Sequence, residues 1–221
     1  MTLLALLLAA FAARQWPQDA LSAIGAKMAQ LLPRFEGGAL HHGWLAWGAL
    51  VVLPALLVGL IGAVLGAILW PLGWGWSAGA LYLVLASAAA NEPADAGDRL
   101  RHALRGLFAP VFYWLLLGPL GLALVVLHSL FARAATAGTA AAVAERVTPL
   151  LDALPAWALL LSLALVGNFE ATLAAWRERA GEPVADRLAA LAATSTDDAV
   201  PPLLLRAAIL WLFILFLFAL G

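Results

Sequence analysis

Long apolar runs separated by short polar stretches set the pattern of this chain. The stretch 43–70 carries no formal charge over 28 residues, enough for a helix of about 40 Å against a hydrocarbon core of about 30 Å. Its excess length predicts tilt or a kink, and Pro54 is the kink site. Further runs occupy 108–131, 201–221, 155–167, 74–90 and 1–13, the last three short. The expected fold is all-α: a polytopic transmembrane helix bundle of about four to six membrane segments, some short or re-entrant, in a single integral membrane domain over 1–221. The first run could serve as the core of a signal peptide, but no basic residue precedes it and Ala12-Ala13-Arg14-Gln15 is a poor cleavage site. A retained first helix or half-helix is expected.

The polar stretches are patterned too. Leu21, Ile24, Met28, Leu31 and Leu32 share one helical face, as do Leu100, Leu104, Leu107 and Phe108, and Val184, Leu188 and Leu191. These predict amphipathic helices lying on the membrane or on the bundle. Pro93 and Pro183, each after a Glu, fit the first turn of the second and third of them. The stretch 132–154 is expected to be an outer connection with short helices, Thr148 capping one and Pro149 opening it.

Composition agrees with the pattern: 65% apolar residues against 11% charged leaves too little polar surface to coat a soluble chain of 221 residues. Basic residues divide unevenly between the two sides. Arg14, Lys27, Arg34, Arg99, Arg101, Arg105, Arg177, Arg179 and Arg187 fall on one side, nine of the 12 Lys+Arg, with only Arg133 and Arg146 on the other. The positive-inside rule assigns the first side to the cytoplasm, with both termini outside if the first segment spans. The longest cytoplasmic connection, 168–200, is far below domain size, so a soluble catalytic domain is excluded. The chain has no cysteine, which removes disulfides, thiolate metal sites and thiol nucleophiles. A net charge of −1 argues against nucleic acid as a partner.

Candidate chemistry gathers where the fifth apolar run meets the cytoplasm. In "ALVGNFEATLAAWRERA" (164–180), Phe169, Leu173 and Trp176 keep an apolar stripe while Glu170 and Arg177 project from another face, which predicts a helix continuing out of the bilayer. Asn168, Glu170, Arg177, Arg206, Arg101 and Arg105 form a candidate polar site at the cytoplasmic mouth. Arg206 is the one strong charge drawn into a span; it either snorkels or pairs with Glu170, Asp197 or Asp198. Four histidines, His41, His42, His102 and His128, are not at compatible depths for haem or metal ligation. Gly62, Gly66, Gly118 and Gly121 offer faces for close helix packing, and most of the ten tryptophans fall near span ends, as in an aromatic belt.

The order of "RGLFAPVFYWLLLGPLGLALVVLHSL" (105–130), "LDALPAWALLLSLALVGNFEATLAAWR" (151–177) and a closing apolar helix resembles the CobD/CbiB superfamily of membrane proteins. That superfamily includes adenosylcobinamide-phosphate synthase and the AmpE proteins associated with β-lactamase regulation. The resemblance rests on Leu107-Phe108-Ala109-Pro110, Gly118-Pro119, Leu154-Pro155-Ala156, Gly167-Asn168-Phe169-Glu170 and Trp176-Arg177, with looser likeness around Arg34-Phe35-Glu36. Where the synthase carries an acidic, Asn-, Ser- and Asp-rich motif before its Ala-Pro, this chain reads "DRLRHALRGLFAP", and the family's Gly-Asp-Phe-Asp acids become Asn168 and Glu170. The resemblance therefore implies a non-catalytic, AmpE-like regulatory or signalling protein, multi-pass in the bacterial inner membrane, with no catalytic residue, cofactor or metal. Its expected partners are the bilayer and other membrane subunits. The alternatives are a structural accessory subunit of a larger membrane complex and a cobamide-pathway ligase.

Overall fold

The computed structural model describes residues 20–35, 39–68, 96–167, 169–179, 181–182, 187, 202, 204–207, 209–211 and 213. Among them every element is helical and none is a strand, in agreement with the expected all-α class. Helix α1 (Ala20–Leu31) ends in a 3₁₀ turn, Leu32–Phe35. Helix α2 is Leu40–Ile68. Helix α3 (Ala96–Ala103) passes through a π-helical turn, Leu104–Phe108, into α4 (Ala109–Leu117). Helices α5 (Pro119–Ala134), α6 (Gly138–Val166) and α7 (Phe169–Glu178) follow.

Two of these helices, α2 and α6, are long and apolar enough to cross a membrane: 29 residues each, with mean hydropathy of 2.6 and 1.9 in their most apolar windows. The expected segments 1–13 and 74–90, most of 201–221, and Pro93, Pro183, Val184, Leu188, Leu191, Asp197 and Asp198 lie outside the described residues.

The kink expected at Pro54 takes the form of a π-helical turn at Gly48–Val52, just ahead of the proline. Proline lacks an N–H and its ring presses on the carbonyl four residues back, so widening the preceding turn relieves both faults. The Leu53 N–H accordingly reaches back five residues to the Gly48 carbonyl. The same arrangement recurs at Leu104–Phe108, which also ends two residues before a proline, with the Ala109 N–H on the Leu104 carbonyl.

The expected single run 108–131 is broken into α4 and α5. Gly118 sits at φ +62°, a backbone region that suits glycine, and Pro119 opens the next helix where its missing N–H is harmless. The expected outer connection 132–154 shrinks to 135–137, because α6 runs unbroken through Pro149 and Pro155. Thr148 is not a cap: its hydroxyl donates at 2.8 Å to the Ala144 carbonyl one turn back inside the helix. The expected fifth segment, 155–167, is therefore the second half of a longer helix.

The chain separates into two compact units interleaved along the sequence, Met1–Ser87 with Pro110–Leu150 and Ala88–Ala109 with Leu151–Gly221. In the first, α1 and α2 pack along α5 around Met28, Leu32, Val51, Leu130 and Phe131. Of the apolar face expected on 21–32, Met28 and Leu32 are buried in this core and Leu21 packs against it, whereas Ile24 is exposed. Gly43 lies so close to the Thr139 backbone that any side chain there would overlap its carbonyl. In the second unit, Leu100, Leu104, Phe108, Leu159, Leu160, Trp176 and Trp211 are each buried. Phe108 meets Trp211 edge-on, with ring centroids 5.6 Å apart.

Candidate functional site

The polar groups set into the apolar helices are tied to one another. In the second unit, Arg105 on the π-helical turn directs Nε and Nη2 at a single carboxylate oxygen, Asp152 Oδ2, at 2.9 and 2.8 Å. Asp152 is the central residue of α6, with 14 positions before it and 14 after. Its side chain is only 9% exposed, whereas that of Arg105 is 49% exposed. A buried carboxylate needs such donors, since a bare charge there would be expelled or neutralised. With Oδ2 committed to a guanidinium, the group is a poor general base and a good helix-to-helix clamp.

A second clamp in that unit joins Trp211 to α6: the indole N–H donates to Ser162 Oγ at 2.9 Å, and the Ser162 hydroxyl donates to the Ala158 carbonyl at 2.8 Å. The first unit holds the counterpart. Trp47 Nε1 donates to His128 Nδ1 at 3.2 Å, and His128 Nε2 lies 3.0 Å from Thr148 Oγ1. An indole nitrogen only donates, and the Thr148 proton is already committed to Ala144, so the ring proton of His128 is assigned to Nε2. Trp47, His128 and Thr148 thereby link α2, α5 and α6.

The chain does not continue straight past Gly167. Trp157 on α6 and Trp176 on α7 stand with ring centroids 4.8 Å apart, whereas one continuous helix would separate residues 157 and 176 by about 28 Å. Helix α7 therefore folds back along α6 as a helical hairpin, the reversal falling between Val166 and Phe169, which corrects the expectation of a helix running on into the cytoplasm. Arg187 lies over the Trp176 ring, 3.7 Å from its centroid, and donates from Nη2 to the Trp176 carbonyl.

The six residues expected at the cytoplasmic mouth all belong to the second unit. Asn168 lies outside the described residues. Glu170 is exposed on the first turn of α7, Arg177 is exposed on its last turn, and Arg206 is exposed. Among the described residues no ion pair joins Glu170 to Arg206. Arg101 lies four residues before Arg105 and is itself engaged. The hairpin places Glu170 at its closed end and Arg177 at its open end, so the two do not share a site. Asp152 escaped the sequence reading because it fell in a stretch expected to be a connection. The available signal was a lone carboxylate in "PLLDALPAWALLL" (149–161), where an apolar helix has one charge to satisfy.

Among the described residues no group of three or more His, Cys, Asp or Glu side chains is placed to hold a metal ion. Comparison with known proteins matches this chain to no family model, no curated protein and no solved structure.

Proposed function

We propose that this chain is a multi-pass inner-membrane protein of the CobD/CbiB-like, AmpE-like kind, serving as a regulatory or signalling component through contacts rather than chemistry. The observation that supports this reading most is how the polar side chains of the apolar helices are used. Arg105 with Asp152, Trp211 with Ser162, and Trp47 with His128 and Thr148 each tie one segment to another. Such ties hold helices in register within an apolar medium and expend the groups that a reaction would need free. Helix α2 adds the matching exterior, since only 17% of its most apolar window is buried and Leu53, Leu56, Leu57, Leu60, Ile61 and Val64 are exposed.

The same exposed leucines suit neighbouring subunits, so an accessory subunit of a larger membrane complex is the second reading. Solubilisation in mild detergent followed by native electrophoresis tests the pair: the regulatory reading expects a chain running alone or with a transient partner. Co-migration with a fixed set of subunits would replace it with the accessory reading. A strain lacking the cobamide synthase is not expected to be complemented, and growth restored by this chain would return the ligase reading.

A further inference from the structure

We infer that residues 153–176 form a re-entrant membrane hairpin, a surface built to sit in lipid, with both legs meeting the same face of the bilayer. The inference rests on the membrane reading above and adds to it a specific topology.

The composition of the segment bounds it. Between Asp152 and Arg177 the sequence holds one formally charged residue, Glu170. The outgoing leg, the second half of α6, turns Leu154, Trp157, Leu161 and Leu165 outward along a single helical face, at 55%, 45%, 55% and 72% exposure. Its other face carries Pro155, Leu159, Leu160 and Leu163, all buried. An exposed stripe of this kind is unfavourable in water, and lipid hydrocarbon is its natural cover.

Length decides between crossing and dipping. All 29 residues of α6 would suffice to cross, but with the Arg105–Asp152 pair at the membrane boundary only the part from Asp152 to Val166 enters, and that rises about 21 Å, short of a hydrocarbon core of about 30 Å. The chain then reverses, and the contact of Trp157 with Trp176 brings the returning leg back to within a few residues of the level at which it set out. The open end carries the features of a membrane boundary. Arg105 and Asp152 lie there with Arg177 and the exposed Arg179–Glu182 pair, and the guanidinium of Arg187 lies on Trp176. Tryptophan and arginine together are the side chains suited to the headgroup layer. The closed end, marked by Gly167 and the exposed Glu170, lies in the far part of the bilayer, where a carboxylate requires water or a donor.

Single cysteines test the topology, because the chain has none of its own. Glu145→Cys and Gly181→Cys sit at exposed positions before and after the hairpin, and the site at Gly181 is open enough to take a side chain. A re-entrant hairpin puts both on one side. In intact cells an impermeant maleimide is expected to treat them alike, both modified at once or both only after permeabilisation. A straight crossing puts them on opposite sides, and modification of one alone in intact cells would overturn the hairpin. Alkaline carbonate extraction of the same membranes separates the two levels of the argument. Release of the chain would withdraw the membrane reading and the hairpin with it, whereas retention with unequal modification withdraws only the hairpin.

Discussion

The Arg105–Asp152 clamp makes an asymmetric prediction. Breaking a wholly buried ion pair by removing one partner costs about 3–5 kcal/mol, because the survivor is left charged without compensation. Here the partners differ in exposure, with side chains 49% exposed for Arg105 and 9% for Asp152. Arg105→Ala strips two charge-assisted donors from the buried partner, and with water able to approach from the arginine side the expected cost falls to about 2–3 kcal/mol. Asp152→Ala leaves a half-exposed guanidinium that rehydrates, and alanine recovers about 0.5 kcal/mol of helix propensity at mid-helix. Its net effect is expected to stay within about 1 kcal/mol. The double variant should resemble Asp152→Ala alone, giving a coupling equal to the whole Arg105→Ala loss, about 2–3 kcal/mol in magnitude. Equilibrium unfolding in mixed micelles, titrated with SDS and followed by tryptophan fluorescence, measures all three against the parent. An Asp152→Ala loss larger than that of Arg105→Ala, or strict additivity, would show that the pair does not clamp α6.

Three further outcomes follow from the same contacts. Glu170→Ala and Arg206→Ala are expected to be additive to within about 0.5 kcal/mol in melting experiments, and a coupling well above that would restore the pairing between them. Gly43→Val forces a side chain onto the Thr139 carbonyl and is expected to destabilise by at least about 1–3 kcal/mol; an unchanged unfolding midpoint would mean that the close approach does not persist in solution. Trp47→Phe keeps the ring volume roughly but removes the indole donor to His128, at a cost of about 1–2 kcal/mol, and loss of the variant's effect in a His128→Phe background would assign that cost to the hydrogen bond.

The helical character of the chain was readable from hydropathy alone, and so was the amphipathic face of α1, because both depend on residues near in sequence. The break at Gly118-Pro119 was visible as a dipeptide and became a boundary because glycine alone tolerates its backbone angle comfortably. Thr148-Pro149 misled: the local signal for a helix start is real, but a hydroxyl can also bond back to the preceding turn, and the surrounding alanines and leucines carry the helix through. Asp152 could be seen as an oddity and not as a partner, since Arg105 lies 47 positions away and nothing local encodes that distance. The reversal at Gly167 was hidden for a related reason. Phe169, Leu173 and Trp176 keep helical spacing whether the helix continues or turns back, and only the Trp157 contact separates the two.

The widened turn at Gly48–Val52 also alters how α2 counts. Its buried positions are Gly43, Ala46, Val51, Ala55 and Gly62, a stripe that slips by one place between 46 and 51 if a uniform period is imposed. The turn holds one residue more than an ordinary helix would use, and that surplus keeps the small side chains before and after it aimed at the same neighbour. If the turn tightened to ordinary α-helix with all its residues kept, everything downstream would rotate by about 100°. The leucines of α2 would swing inward and Ala55 and Gly62 outward. Length in this helix is thus a phase setting: a one-residue deletion inside the turn would be absorbed as ordinary helix with the stripe still aligned, whereas the same deletion further along α2 would scramble the interface while leaving composition and hydropathy almost untouched.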